Sequence, residues 1–336
     1  MTSSAAPSVF RWSTDEVPPT QRFDYYADAL SSSQTPMSLS SENPSSFMAK
    51  MELAELGSLS LMRQIGSGNR ATRGPRDIAR STERSFHLLV NLTSPWTLNH
   101  VGRTRLRPGD AVLADSAFGY DLALPSAYDV VHIKLSEAWL RQWVPAPGLL
   151  VGRPIPFDSG WGRALTSFVA ELSPRLVSES ALPASVVSQH VGALLSIIAD
   201  ETSRSGQRPT PGQKGLCPQI IESIAQRCGE SLLTAESVAV PLGISARTLH
   251  RSLAAFGLTF GAALIAARAQ LAMRMIESPL CRRLTLAEIG RRAGFVDASH
   301  FTRVIRAREG RTPSELRHSL ASPRSGQRHH GLNGNE

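Results

Sequence analysis

Two short segments carry the residues with the clearest chemistry. One is Gly243-Ile244-Ser245-Ala246-Arg247-Thr248-Leu249-His250-Arg251, the other Gly294-Phe295-Val296-Asp297-Ala298-Ser299-His300-Phe301-Thr302-Arg303. Each opens on a glycine and an apolar residue and continues through an N-cap candidate, Ser245 or Asp297. An apolar anchor follows, Leu249 or Phe301, and then an arginine. A guanidinium grips guanine through two hydrogen bonds or pairs with phosphate, hydroxyls reach base edges, and methyl groups touch the thymine methyl. This is the chemistry of reading a duplex, not of making bonds. Arg247, His250 and Arg251 point outward on the first segment, with Ala246 offering a methyl contact. On the second, Ala298, Ser299, Thr302 and Arg303 face the groove, and His300 and Arg306 are phosphate contacts.

Helices have to hold these residues. The sequence predicts a helix before each segment, so the glycine becomes a tight turn that holds a second helix clear of the body. That plan is a helix-turn-helix, whose second helix enters a major groove. One such match is weak, because many helical hairpins share it; two within residues 216–318 are a much stronger signal. A helix is expected from Cys217 to Cys228, with Pro218 suited to its first turn, Gly229 to its end, and Ile220, Ile221 and Ile224 inward. Thr234 caps a short helix, whose last turn Pro241 kinks by removing a donor. A long helix from Thr259 to Glu277 buries Phe260, Leu264, Ala267, Leu271 and Met275. At ~1.5 Å per residue it spans roughly 28 Å, comparable to the ~34 Å between successive major-groove faces. The second unit starts near Thr285 with Leu286, Ile289 and Ala293 as its core. Thr312 and Pro313 start a closing helix.

Charge follows the same division. Residues 227–317 hold 14 Arg, no Lys and 7 Asp or Glu, a net +7, whereas residues 1–226 hold 20 basic and 20 acidic residues. The basicity is local, which points to a polyanion partner for that part alone. A chain of 336 residues has length for about two domains. No apolar run approaches the ~18 residues of a membrane span, and Met1 to Pro7 lacks the pattern of a secretory signal. Cys217, Cys228 and Cys281 are scattered and suit a reducing cytoplasm, the first two as small buried hydrophobes.

The N-terminal part reads as strands and then helices. Residues 1–17 are expected to be disordered. A helix from Pro18 to Leu30 places Phe23, Tyr26 and Leu30 on one face, and residues 31–46 are loop. Ala49 to Leu53 and Leu59 to Ile65 form a hairpin around Gly57-Ser58. Ile65 to Arg84 reads as loop with short strands, because its arginines exceed what a core holds. Strands follow at Ser85–Leu92, Thr97–Val101, Arg103–Leu106, Ala111–Asp115 and Asp129–Leu135. Arg103, Arg105 and Arg107 share a solvated face. This pattern predicts a sandwich or small barrel, with His87, Asn91, Trp96, Tyr120 and His132 as candidate residues lining a ligand pocket. Past Ser136, apolar residues recur at helical spacing, first from Trp161 to Leu172. The stripe Val187, Val191, Leu194, Leu195 and Ile198 either covers the barrel or pairs with a second subunit. Residues 203–215 contain no apolar side chain and form a linker.

The segment Gly102-Arg103-Thr104-Arg105-Leu106-Arg107-Pro108-Gly109-Asp110-Ala111-Val112-Leu113 resembles the strand-turn-strand of cupin-type sensor domains. A metal-binding cupin would place a histidine soon after that Pro-Gly. Here Ala111, Val112 and Leu113 stand instead, and His87 and His100 belong to no His-x-His pair, so no metal, cofactor or catalytic residue is expected. The C-terminal stretch is similar to the AraC/XylS family of bacterial transcription regulators. The resemblance is carried by Leu242-Gly243-Ile244-Ser245, Leu249-His250-Arg251, Ala267-Arg268 through Met275, Ile289 through Phe295, Ser299-His300-Phe301-Thr302-Arg303 and Gly310-Arg311-Thr312-Pro313-Ser314-Glu315-Leu316-Arg317. It implies an α+β chain. A cupin-like β-barrel with flanking helices, 18–202, serves ligand sensing and dimerisation. The linker leads to an all-α DNA-binding domain, 216–320, with two helix-turn-helix units joined by a long helix; residues 321–336 are a disordered tail. The implied partners are double-stranded promoter DNA, RNA polymerase, an unidentified small effector and a second copy of the chain, in the cytoplasm and without a membrane. Activation rests on the resemblance alone. The rival readings are a cupin-like enzyme fused to a DNA-binding domain and an effector-independent regulator.

Overall fold

The computed structural model describes residues 8–321, apart from 82, 159, 181–182, 205–215 and 255–257. Most of the expected linker and all of the expected tail beyond 321 lie outside the described residues. The chain divides into two units, one of residues 1–222 and 239–259, the other of 223–238 and 260–336.

The strands of the first unit are β1 (Val9–Ser13), β2 (Ser38–Ser40), β3 (Ala49–Glu55), β4 (Leu59–Gly66), β5 (Asn69–Arg73), β6 (Ser85–Asn91), β7 (Trp96–Asn99), β8 (Arg103–Leu106), β9 (Ala111–Asp115), β10 (Tyr120–Leu124), β11 (Tyr128–Ser136) and β12 (Pro154–Ile155). They form a seven-stranded sheet in the order β1-β3-β4-β11-β6-β9-β12 and a five-stranded sheet in the order β2-β5-β10-β7-β8. Leu89, Val112 and Val130 of the first sheet share one core with Leu98, Leu106 and Leu124 of the second. The arrangement is therefore a sandwich, and the expected closed barrel is corrected. The edge strands β2 and β12 have only three and two residues, too short a ladder to join the sheets around the rim.

The helices around these sheets are α1 (Arg22–Ser33), α2 (Pro75–Ala79), α3 (Glu137–Trp143), α4 (Gly160–Glu171), α5 (Pro174–Glu179) and α6 (Ala184–Arg204). The outer face of the large sheet is covered by Leu140 of α3, Leu165 of α4, Val177 of α5, and Val191 and Leu195 of α6, which pack with Leu88, Val90 and Val131. A sheet buried on both faces needs apolar residues in both phases of its strands, which is why β6 and β9 are buried throughout. The small sheet keeps one face in water, and Arg103 and Arg105 stand on it as the alternation predicts. The apolar stripe of α6 covers its own domain.

Three departures from the sequence reading share a cause. Val9–Ser13, expected to be ragged, pairs with β3, and Val9 and Trp12 pack on opposite cores. Residues 65–84, expected as loop with short strands, supply the strand β5 but also the helix α2, and β10 stands between β5 and β7 where no strand is expected. In each case a strand of about five residues sits among Ser, Gly, Pro or Arg, and those neighbours mask it.

Buried charge is ordered rather than avoided. The side chain of Arg84, 7% exposed, lies between Asp115 at 2.5 Å and Glu137 at 3.1 Å. Glu137 also accepts from Arg141 at 2.9 Å, and Arg141 holds Glu222 through two bonds of 2.6 and 2.9 Å. Five side chains thus alternate in sign from the end of β9, through α3, to the next helix, α7 (Leu216–Arg227).

The remaining helices are α8 (Ala235–Ala239), α9 (Ala246–Ala254), α10 (Phe260–Glu277), α11 (Leu286–Arg292), α12 (Ala298–Glu309) and α13 (Pro313–Ala321). A 3-10 turn over Val240–Leu242 follows α8, as Pro241 requires. In the second unit, Ala269, Ala272 and Ile276 of α10 pack on Ile289, Ala293, Phe295, Phe301 and Ile305. The expected stripe on α10 is offset: Leu271 and Met275 flank the core and the alanines occupy its centre. α10 is apolar on most of its circumference, so periodicity alone cannot choose the face. Small residues mark where the neighbouring helices come closest. No described helix is long and apolar enough to cross a membrane.

Replacing Arg84 with alanine leaves the buried Asp115 carboxylate without its cation and Glu137 with Arg141 alone. We expect a loss of ~3–5 kcal/mol in urea unfolding of the full chain; a loss below ~1 kcal/mol, the range of an exposed pair, would show that the ion chain contributes little.

Candidate nucleic-acid interface and ligand pocket

In the first unit, Gly243 adopts φ +66°, in the left-handed region, and turns the chain into α9. The Ser245 hydroxyl accepts from the Thr248 N–H at 3.2 Å, which caps the helix. Leu249 and Leu253 are fully buried. That leaves Arg247, His250 and Arg251 exposed, with Ala246 half-buried beside them. The i, i+3, i+4 spacing puts the three polar side chains on one helical face.

In the second unit, Gly294 has φ +91°. A Cβ there would lie 2.2 Å from the Cys228 carbonyl oxygen and 2.6 Å from Nε of Arg268. Arg268 of α10 fills this corner and donates to the carbonyls of Cys228, Glu230 and Ser231 at 3.0, 2.8 and 3.2 Å. Asp297 then caps α12, its carboxylate accepting from the Ser299 and His300 N–H groups at 3.0 Å each. Those two donors hold its pKa below the usual carboxylate value. Phe301 and Ile305 anchor the helix, and Ala298, Ser299, Thr302, Arg303 and Arg306 are exposed. His300 is only half-exposed, and its ring stands edge-on to Phe295 at 5.7 Å. α11 and α13 begin on the reciprocal Thr–Glu bonds of Thr285 with Glu288 and Thr312 with Glu315, the capping box.

Between the two sheets lies a cavity of about 50 Å³. Its polar wall is formed by Tyr26, Gln64, Asn69, His87, Tyr120 and His132. Three of the five expected lining residues are therefore present. The other two have structural roles. The Asn91 amide donates to the Ser94 carbonyl and hydroxyl at 2.9 and 3.1 Å and builds the turn after β6; Trp96 packs in the sandwich core. Tyr26, Gln64 and Asn69 escaped the sequence reading. Gln64 alone left a signal, a polar residue in the same strand phase as buried Met62.

His87 and His132 stand on neighbouring strands and meet Nδ1 to Nε2 at 2.8 Å, and Nε2 of His87 meets the Ser85 hydroxyl at 3.0 Å. Burial depresses both rings. The charges of Lys134 and Arg73 and the ring of His100 add to this at His87, and Lys134 adds to it at His132, which is pushed down to about 3. With both pKa values depressed, the pair is neutral at pH 7 and shares one proton across the contact. Burial likewise pushes the Tyr26 and Tyr120 phenols up to about 12. His100 lies elsewhere: its Nδ1 donates to the Gly119 carbonyl and its Nε2 accepts from the Asp115 N–H. Among the described residues, no three His, Cys, Asp or Glu side chains gather as a metal ion would need.

Comparison with known proteins places both halves. A family model for a helix-turn-helix domain matches residues 238–319, and one for an AraC-binding-like domain matches residues 26–197. Among curated proteins, the transcriptional activator NphR of Rhodococcus sp. is 26% identical over 219 residues, 64% of each chain. An uncharacterized protein in the nit 5' region of Bacillus sp. (strain OxB-1) is 25% identical over 160 residues, 47% of this chain and 61% of that one. The alignment thus spans less than two thirds of either relative. The crystal structure of the AraC-like transcriptional activator CuxR superposes with TM-score 0.52 at 15% identity, over 85% of this chain and all of that one. That likeness concerns the fold.

The corner at Gly294 predicts that Gly294→Ala destabilises the second unit by at least ~2 kcal/mol, from left-handed backbone strain and displacement of the Arg268 clamp. Gly243→Ala, with nothing within 4 Å of its Cβ, should cost only the backbone part, ~1–2 kcal/mol; equal losses in thermal unfolding would refute the clamp. The histidine pair predicts a pH dependence. Its folded pKa values are depressed, so its stability is present above about 6.5, the ordinary histidine value, and is lost as pH falls toward about 3. The slope is at most ~1.4 kcal/mol per pH unit per ring. Urea midpoints between pH 7.5 and 5 should fall less steeply in His132→Asn than in the parent; identical slopes would remove the pair from the account.

Proposed function

Because the chain belongs to the AraC/XylS family of transcription regulators, we propose that it is a cytoplasmic, effector-responsive activator that reads promoter DNA with α9 and α12. The observation that carries this is the pair of capped helices. Each buries its apolar anchors and exposes arginines at groove-reading spacing, in a stretch of net charge +7. Arg303 and Arg251 reach base edges, Ser299 and Thr302 contact bases or backbone, and Ala246 and Ala298 offer methyl contacts. Arg247, His250, Arg306 and His300 hold phosphates. These contacts release counterions and make affinity fall with salt.

The sandwich is the sensor, and the cavity between its sheets holds the effector. Effector binding favours one of two arrangements of the DNA-binding helices, a population shift. Activation is supported by the name of the Rhodococcus relative, and RNA polymerase is the partner an activator needs. A second copy of the chain is a further partner. Neither matching family model describes an enzyme.

Arg303→Ala tests the reading at a base contact. Competition gel shifts on the DNA upstream of the chain's own reading frame should show a loss of ~1–3 kcal/mol in specific affinity, about five- to 150-fold, and a far smaller loss on unrelated DNA. Arg306→Ala should weaken both alike and lower the salt slope by about one. Equal losses on all sequences would remove Arg303 as a reader.

A further inference from the structure

The cavity wall specifies more than the presence of an effector. None of its side chains is charged; beyond the six polar groups it consists of leucines, alanines and Met37. The nearby cations are engaged elsewhere. Arg73 donates to the carbonyls of Ser116 and Pro36 and to the Ser81 hydroxyl, and Lys134 donates to the Gln34 carbonyl at 2.7 Å. Neither lines the cavity. A carboxylate entering it would lose its water and find no cation to pair with.

The wall does offer hydrogen bonds. His132 meets His87 through Nε2, and among the described residues its Nδ1 makes no hydrogen bond. The Tyr120 hydroxyl donates to the Met37 sulfur at 3.5 Å, a weak acceptor. Beside it lies the buried Thr35 hydroxyl. The run Ser85–His87–His132 has two proton arrangements. When Ser85 donates to His87, and His87 to His132, Nδ1 of His132 carries a hydrogen. When the run reverses, Nδ1 is a bare acceptor. The site therefore meets either a donor or an acceptor without net charge.

Resting on the reading of the sandwich as the sensor, we propose that the effector is an uncharged, compact molecule, an apolar body bearing one neutral hydroxyl, carbonyl or amide group held by His132 and Tyr120. Its size follows from the volume. About 50 Å³ is room for a few waters at ~10–15 Å³ each. A single ring enters by displacing Met37, whose unbranched side chain adapts readily.

Matched probes separate charge from shape. Benzamide and benzoate form one pair, cyclohexanecarboxamide and cyclohexanecarboxylate a second. Calorimetric titration of the full chain at pH 7.5 should show each amide binding at least tenfold tighter than its carboxylate. Leu122→Trp, which fills the cavity, and the milder Leu122→Phe should weaken amide binding at least tenfold with the melting transition retained, and Arg303→Ala should leave it unchanged. Carboxylates binding as tightly as amides would overturn the uncharged class while leaving a sensor in place. No heat from any of the four would also overturn it. The regulator reading fails separately, through loss of specific DNA binding.

Discussion

A guanidinium taken out of water has to be met by fixed oxygens, and three places in this chain are organised by that demand. Arg84 is held by Asp115 and Glu137 and so ties β9 to α3. Arg73, 2% exposed, forms no ion pair among the described residues and is met by carbonyl and hydroxyl oxygens from three separate segments. Burial accordingly lowers its pKa. Arg268, only half-buried, makes the same kind of contact in the second unit, donating to three carbonyls at the corner where Gly294 must pass. Apolar packing supplies most of the driving force for both units. The arginines decide which loops are fixed against it, since a half-satisfied buried cation is costlier than none.

The same logic governs the cavity. β6 and β11 are adjacent and both are buried on two faces, so alternation sends His87 and His132 inward between apolar neighbours. Two rings in that position cannot both be cations. They remain neutral, bond to each other, and leave a hydrogen-bonding atom toward the cavity. The electrostatics of the two halves are thus opposite. Residues 1–226 are neutral overall and the cavity presents a neutral wall, whereas residues 227–317 carry net +7 with Arg247, Arg251, Arg303 and Arg306 exposed to water.

The DNA-binding half was legible because its signals are local. Ser245, Asp297, Thr285 and Thr312 each bond to a backbone group within three residues, so a cap can be read from a short window. The glycine turns and the anchors Leu249 and Phe301 follow the same rule. The sandwich was legible only as a class. Its cavity is assembled from α1 and seven strands that are far apart in sequence, and nothing in a window around Asn69 or Tyr26 announces a shared wall. Asn91 and Trp96 were drawn toward the cavity by residue type, yet one makes a turn and the other fills the core. The arginines of residues 65–84 misled for a related reason. Whether an arginine is surface or staple depends on carbonyls contributed from elsewhere in the chain, as at Arg73.

The most direct test of two independent readers is hydroxyl-radical footprinting of the full chain on the DNA upstream of its reading frame, beside Arg251→Ala and Arg303→Ala. Two protected segments per protomer are expected, with each substitution exposing a different one while the other persists in the presence of competitor DNA. A single protected segment lost equally in both variants, or protection that disappears with any unrelated competitor, would contradict two independent readers.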